Sequence, residues 1–181
     1  MKLRETIQKK EVDFLINNIQ ISGTLTIPKN ECKQGIVFLS GYGPVTRDNE
    51  VKGLKRYKIL AQMFAENNIT SLRFDDRGCG KSTDVNWHDY TFNDLAKEAI
   101  AAANFLRNHP EITTDKIGFF GHSLGAIIGP LAATMNDDIA FIISAAPPGL
   151  NGQETALQTR NFIAKQKRRN RKGEKKSKQC I

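Results

Sequence analysis

An apolar run, Lys116-Ile117-Gly118-Phe119-Phe120, passes without a break through Gly121-His122-Ser123-Leu124-Gly125 into Ala126-Ile127-Ile128-Gly129-Pro130-Leu131-Ala132. No other feature of the 181 residues narrows the fold as far. A buried strand has to turn at once into a helix spanning Leu124 to Met135. So sharp a turn puts Ser123 in a strained backbone conformation, with glycine on either side where side chains would strike the strand and the helix. The helix amino terminus offers unpaired N–H groups and a partial positive charge beside the serine. A serine raised on such an elbow is suited to nucleophilic attack, with the Leu124 N–H facing a developing oxyanion.

The neighbouring segments repeat the same alternation. Residues 11–30 alternate apolar and polar side chains around Asn17-Asn18 and end at Pro28, which predicts an antiparallel strand pair. Gly35 to Leu39 is wholly apolar and largely β-branched, as a strand buried on both faces requires. A helix is predicted over Lys55 to Asn67 from the spacing of Tyr57, Leu60, Ala61 and Phe64, followed by a strand over Thr70 to Phe74. Thr91, with Asp94 three positions on, predicts a capped helix from Thr91 to Asn108. After the elbow, Ile139 to Ser144 reads as one more buried strand. Strands alternating with helices give an α/β fold with a mostly parallel sheet, opened by the antiparallel hairpin.

Charge and cysteines exclude several classes. The net charge of +8 suggests an anionic partner, yet nine of the 27 basic residues and one of the 19 acidic ones lie from Lys165 onward. The preceding residues therefore carry no net charge, and no specific nucleic-acid partner is expected. The lysine- and arginine-rich end cannot bury a core, which sets an expected boundary between a domain over 1–162 and a basic, disordered tail over 163–181. Cys32, Cys79 and Cys180 have no paired or metal-ligand spacing, so free thiols are expected. Without a long apolar run or an apolar leader the chain reads as cytoplasmic, with no membrane partner. Its oligomeric state is not legible.

An acyl-transfer site needs a second oxyanion donor, supplied from a loop after an earlier buried strand. Ser40-Gly41-Tyr42-Gly43-Pro44 stands there. Gly41 and Gly43 let the backbone approach a substrate, and the Tyr42 N–H is the expected partner of Leu124. Gly78-Cys79-Gly80-Lys81-Ser82 looks like a phosphate-binding loop, but that motif needs glycine where Asp75 stands, so no cofactor is implied. Asp75 and Arg77 are expected to form an internal ion pair or to bond to neighbouring loops, shaping the floor of the site.

With these residues in place the chain resembles the amino-terminal part of the α/β-hydrolase superfamily, and more narrowly the EstD-type bacterial carboxylesterases. It is also similar to serine aminopeptidases and prolyl-oligopeptidase-like hydrolases. The resemblance rests on three motifs in order: Ser40 to Asp48 for HGxGPxxRD, Asp75 to Ser82 for DxRGxGxS, and Gly121 to Gly125 for GHSxG. Ser40 stands where the family usually has histidine. The resemblance implies a small-molecule ester substrate, with a peptide substrate as the alternative and a non-enzymatic fragment with an anion-binding tail as the rival.

The resemblance also implies an acid and a histidine on later loops. No histidine follows Ser123 in this sequence. His88 reads as a loop residue, His109 as a helix end before Pro110, and His122 as an elbow side chain turned away from the attacking oxygen. Asp137 and Asp138 fall one unit too early for the acid. Loss of a general base costs on the order of 10⁶ in kcat, so a truncated chain, broken near Ala164 and lacking the last strands, is expected to be inactive or weak.

Overall fold

A computed structural model of the chain describes residues 6–16, 18–83, 86, 89–150, 152–154, 157 and 160–162. They belong to two compact units that divide between Pro147 and Pro148. In the second unit residues 152–154 are helical. His88 and the basic tail lie outside the described residues. The elements below all belong to the first unit.

Strands β1 (Gln8–Ile16) and β2 (Ile19–Ile27) form the expected hairpin, with Val12 opposite Gly23. Asn18 makes the reversal at φ +67°, a left-handed conformation that asparagine tolerates better than most residues. Strand β3 (Gln34–Leu39) is followed by two short strands, β4 (Glu50–Val51) and β5 (Leu54–Lys55), and then by α1 (Arg56–Glu66). The β4–β5 hairpin is absent from the sequence reading. Its turn is Lys52-Gly53, at φ +51° and +82°, a weak signal beside the Asn-Gly or Asp-Gly pairs that mark such turns.

Strand β6 (Ile69–Phe74), α2 (Phe92–Arg107), β7 (Ile117–His122), α3 (Gly125–Ala133) and β8 (Phe141–Ala145) complete the unit. The predicted cap on α2 is present as a reciprocal pair. Asp94 N–H donates to the Thr91 hydroxyl at 3.3 Å, and Thr91 N–H to the Asp94 carboxylate at 2.9 Å. Pro130 interrupts α3 and leaves the Ala126 carbonyl without its helical donor; the Ser144 hydroxyl of β8 supplies one at 3.2 Å.

Six strands form one sheet in the order β1-β2-β6-β3-β7-β8. Pairs β3–β6, β3–β7 and β7–β8 are parallel, while β2 joins the sheet antiparallel to β6. The chain thus has the expected α/β architecture, a mostly parallel sheet opened by an antiparallel hairpin. Strict alternation sends the side chains of β3 to opposite faces. Val37 and Leu39 join the core with Leu106, Ile117, Phe119 and Ile128 beneath α2 and α3, while Ile36 and Phe38 meet Tyr57 and Ala61 of α1.

Ile139 to Ser144 reads as an apolar strand that becomes an exposed edge if the superfamily's last strands are missing, and β8 is such an edge: it begins at Phe141, pairs with β7 alone among the described residues and leaves Ile143 41% exposed. An apolar run cannot by its own sequence say whether it ends as a central or an edge strand.

Candidate active site

Because β3, β6 and β7 are parallel, the loops that leave them open at one edge of the sheet, where sites of open α/β folds form. Those loops carry Ser40 to Asp48, Asp75 to Ser82, and Ser123. Ser123 stands at φ +55°, the left-handed conformation expected of the elbow, and its N–H donates to the Ala145 carbonyl at 3.1 Å. The space is equally tight. A Cβ on Gly121 would overlap the Gly125 carbonyl, and one on Gly125 would overlap the Leu39 carbonyl and lie 2.6 Å from that of Ser40.

Leu124 precedes the first turn of α3, and its N–H has no protein acceptor among the described residues. Gly125 N–H donates to the Ser40 carbonyl at 2.8 Å, tying the elbow to the loop after β3. A Cβ on Gly41 would come 3.6 Å from the Ser123 Cβ, so the loop passes directly over Ser123. Tyr42, the next residue, is 71% exposed, and Gly43 turns the chain at φ +96°. Gly41, Tyr42, His122 and Ser123 line one cleft of about 590 Å³, which Pro44, Asn49, Glu50, Arg56 and Cys79 complete. The β4–β5 hairpin therefore forms part of its wall.

The Ser123 hydroxyl has no hydrogen-bond partner among the described residues. His122 shares the cleft, and burial followed by the Arg56 charge lowers its imidazole pKa. His109 ends α2 at the opposite edge of the sheet, where its Nδ1 accepts from Glu111 N–H at 3.3 Å. The Asp138 carbonyl accepts from Arg107 at 2.6 Å in the turn before β8. Cys79 is no rival nucleophile: burial, then the charges of Asp76 and Asp75, push its thiol pKa up.

Asp75 and Arg77 do not pair with one another. Asp75 accepts from the Arg47 side chain at 2.7 Å, the Arg47 N–H at 2.7 Å and the Lys81 N–H at 2.9 Å. Burial pushes its carboxyl up, but these donors outweigh it and hold the pKa below the ordinary carboxylate value. Gly80, at φ +57°, is needed because any side chain would enter the Asp75 carboxylate. Arg77 instead donates to Glu98 of α2 at 2.7 Å, both side chains being buried, and its guanidinium covers the Tyr90 ring at 3.7 Å.

Asp76 is the residue that the sequence concealed. Its Oδ2 accepts from the Ser40 hydroxyl at 2.6 Å and the Val45 N–H at 2.9 Å, so one carboxylate grips both ends of the loop carrying Tyr42. Burial pushes its pKa up to about 7, against the lowering effect of these two donors. It lines a small cavity of about 40 Å³ with Leu39, Arg77, Glu98, Leu124 and Ile128. The only sequence signal was the juxtaposition of a second aspartate with Ser40 in place of histidine.

A serine at φ +55° between Gly121 and Gly125, at the carboxyl edge of a parallel sheet beside a loop crossing over it, has the strand-turn-helix geometry of the expected elbow. Residues 50–173 match the family model described as serine aminopeptidase, S33, and the chain belongs to that family. A polyketide transferase, ATR5, of Stachybotrys chlorohalonatus is 32% identical over 49% of this chain and 30% of its own length. A thiohydrolase, aneE, of Aspergillus aculeatus is 27% identical over 76% of this chain and 41% of its own.

Among solved structures, the Pyrococcus furiosus esterase Pf2001 superposes with a TM-score of 0.72 at 22% identity, over 88% of this chain and 59% of that one. Est1E of Butyrivibrio proteoclasticus, bound to ferulic acid, gives 0.62 at 24%, over 75% and 52%. The chain thus spans about a third of the length of these curated relatives and just over half of these structural neighbours. Among the described residues no helix is long and apolar enough to cross a membrane.

Proposed function

We propose that this chain carries the nucleophile and oxyanion side of a serine hydrolase that acts on small carboxylic esters by acyl transfer, with EstD-type carboxylesterases as its nearer kin. Ser123 attacks the carbonyl carbon, and the N–H groups of Leu124 and Tyr42 receive the negative charge of the tetrahedral intermediate. The alcohol leaves, and water releases the acid from the acyl-serine. The observation that carries this reading is the elbow as a whole: Ser123 stands at φ +55° directly between β7 and α3, with Gly121 and Gly125 at positions where a Cβ would strike the backbone. Similarity to an esterase structure and to a thiohydrolase supports acyl transfer.

Among the described residues no histidine hydrogen-bonds to Ser123, so the proposed state of this chain is inactive or weak. A peptide substrate is the second reading, favoured by the serine aminopeptidase family to which the chain belongs.

The test is covalent labelling by a fluorophosphonate, read by intact mass and peptide mapping. Labelling confined to Ser123 and lost in Ser123→Ala supports the reading. No adduct, or one that persists in the alanine variant, overturns it. Release of acid from p-nitrophenyl acetate, set against cleavage of an aminoacyl anilide, separates ester from peptide.

A further inference from the structure

Arg56 opens α1 on the wall of the cleft that holds Ser123. Its guanidinium is fixed by one residue: Nε donates to the Asn49 carbonyl at 3.2 Å and Nη2 to the Asn49 side-chain oxygen at 2.6 Å. Asn49 is itself a rigid post. It is buried, held at φ +47°, and its N–H donates to the Thr46 carbonyl at 2.8 Å. Only one edge of the guanidinium is used in this way. The other edge, formed by Nη1 and the second hydrogen of Nη2, is the fork that receives a carboxylate through two parallel bonds.

Arg56 also differs from its fellow arginines in the folded unit. Arg47, Arg73, Arg77 and Arg107 each sit within ion-pair distance of an aspartate or glutamate. Among the described residues Arg56 has no such partner. Glu50 lies on the same wall but is 3.9 Å from the Lys55 ammonium. His122 and Cys79 face the cleft as well, and neither supplies a negative charge to the guanidinium at neutral pH. The positive charge reaches the elbow, since Arg56 contributes to lowering the pKa of His122, the residue before the nucleophile. A cation held in place with three of its five N–H donors unused among the described residues, on the wall of the cleft that holds Ser123, is arranged for an anion.

We infer that Arg56 forms an anion subsite of the cleft, so that the preferred ligands are esters bearing a free carboxylate, such as half-esters of dicarboxylic acids. This assignment rests on the proposed hydrolase reading, and it gives that reading a substrate class. The carboxylate docks on the Nη1–Nη2 edge, Asn49 holds the fork in place, and the ester group lies toward Ser123.

The test uses the full chain and two probes, monomethyl glutarate and its neutral dimethyl counterpart, with binding measured by ligand-observed NMR and titration calorimetry. The half-ester should bind at least tenfold more tightly, and the ratio should shrink as salt is raised. Arg56→Gln should bring the ratio to about one, and Arg56→Lys, which keeps the charge but not the fork, should retain part of it. Melting curves establish that both variants are folded.

A ratio near one in the parent chain, or one unchanged in folded Arg56→Gln, overturns the subsite. Fluorophosphonate labelling of the same preparations separates the two claims. A labelled Ser123 without an Arg56-dependent ratio refutes the anion subsite alone. An Arg56-dependent ratio without labelling upholds the subsite and refutes the hydrolase.

Discussion

Replacing Asp76 with asparagine should remove a pH-dependent load on the fold. Burial raises the Asp76 pKa from 3.8 to about 7, while the Ser40 hydroxyl and Val45 N–H pull it back without prevailing. The folded chain therefore binds this proton more tightly than the unfolded chain does. Under linkage, the stability that the group contributes is fully present below pH 3.8 and is lost as pH rises to about 7. A difference of roughly three pH units at 1.36 kcal/mol each amounts to about 4 kcal/mol. Asparagine keeps the shape and one acceptor oxygen for the loop but does not titrate.

Urea denaturation of both proteins from pH 4 to pH 8 measures the effect. Glu98, which burial raises, and Asp75, which its donors lower, titrate in both chains and enter the difference only through their coupling to Asp76. The parent should lose stability relative to Asp76→Asn by about 4 kcal/mol over this range, levelling off above neutrality. A flat difference would mean that Asp76 titrates as in the unfolded chain. A difference that grows in the parent's favour would mean that the two donors hold the carboxylate charged, reversing the assigned sign.

Ser123→Gly should stabilise the chain by about 1 kcal/mol in urea denaturation while ending fluorophosphonate labelling, because glycine relieves the left-handed backbone at φ +55°. Gly125→Ala should cost about 1–3 kcal/mol or more, since the new methyl meets the Leu39 and Ser40 carbonyls; an unchanged melting temperature would contradict that packing. Glu98→Leu should cost about 3–5 kcal/mol by leaving Arg77 buried without its counter-charge, and adding Arg77→Met should recover most of that loss in the same thermal assay.

The local order of this protein is written in its sequence. Alternation set the β1–β2 hairpin, Thr91 and Asp94 set the start of α2, and the glycines around Ser123 set the elbow. Each is a matter of a few consecutive residues and the backbone conformations they permit, so a linear reading finds them. The loop after β3 that passes over Ser123 was legible in the same way, from its glycines.

What the sequence did not reveal depends on which segments become neighbours. Nothing near Arg77 marks Glu98 as its partner, 21 residues on, and nothing in Asp75 names Arg47. Asp76 grips Ser40 and Val45 only because β3 and β6 lie side by side in parallel, bringing their following loops to one edge. Arg56 shares a cleft with Ser123 only because the tertiary fold brings the start of α1 to the elbow. Charge pairing and burial act through space across tens of residues, and only the tertiary structure decides them. The sequence determined that Ser123 sits on an elbow; the fold decided what surrounds it.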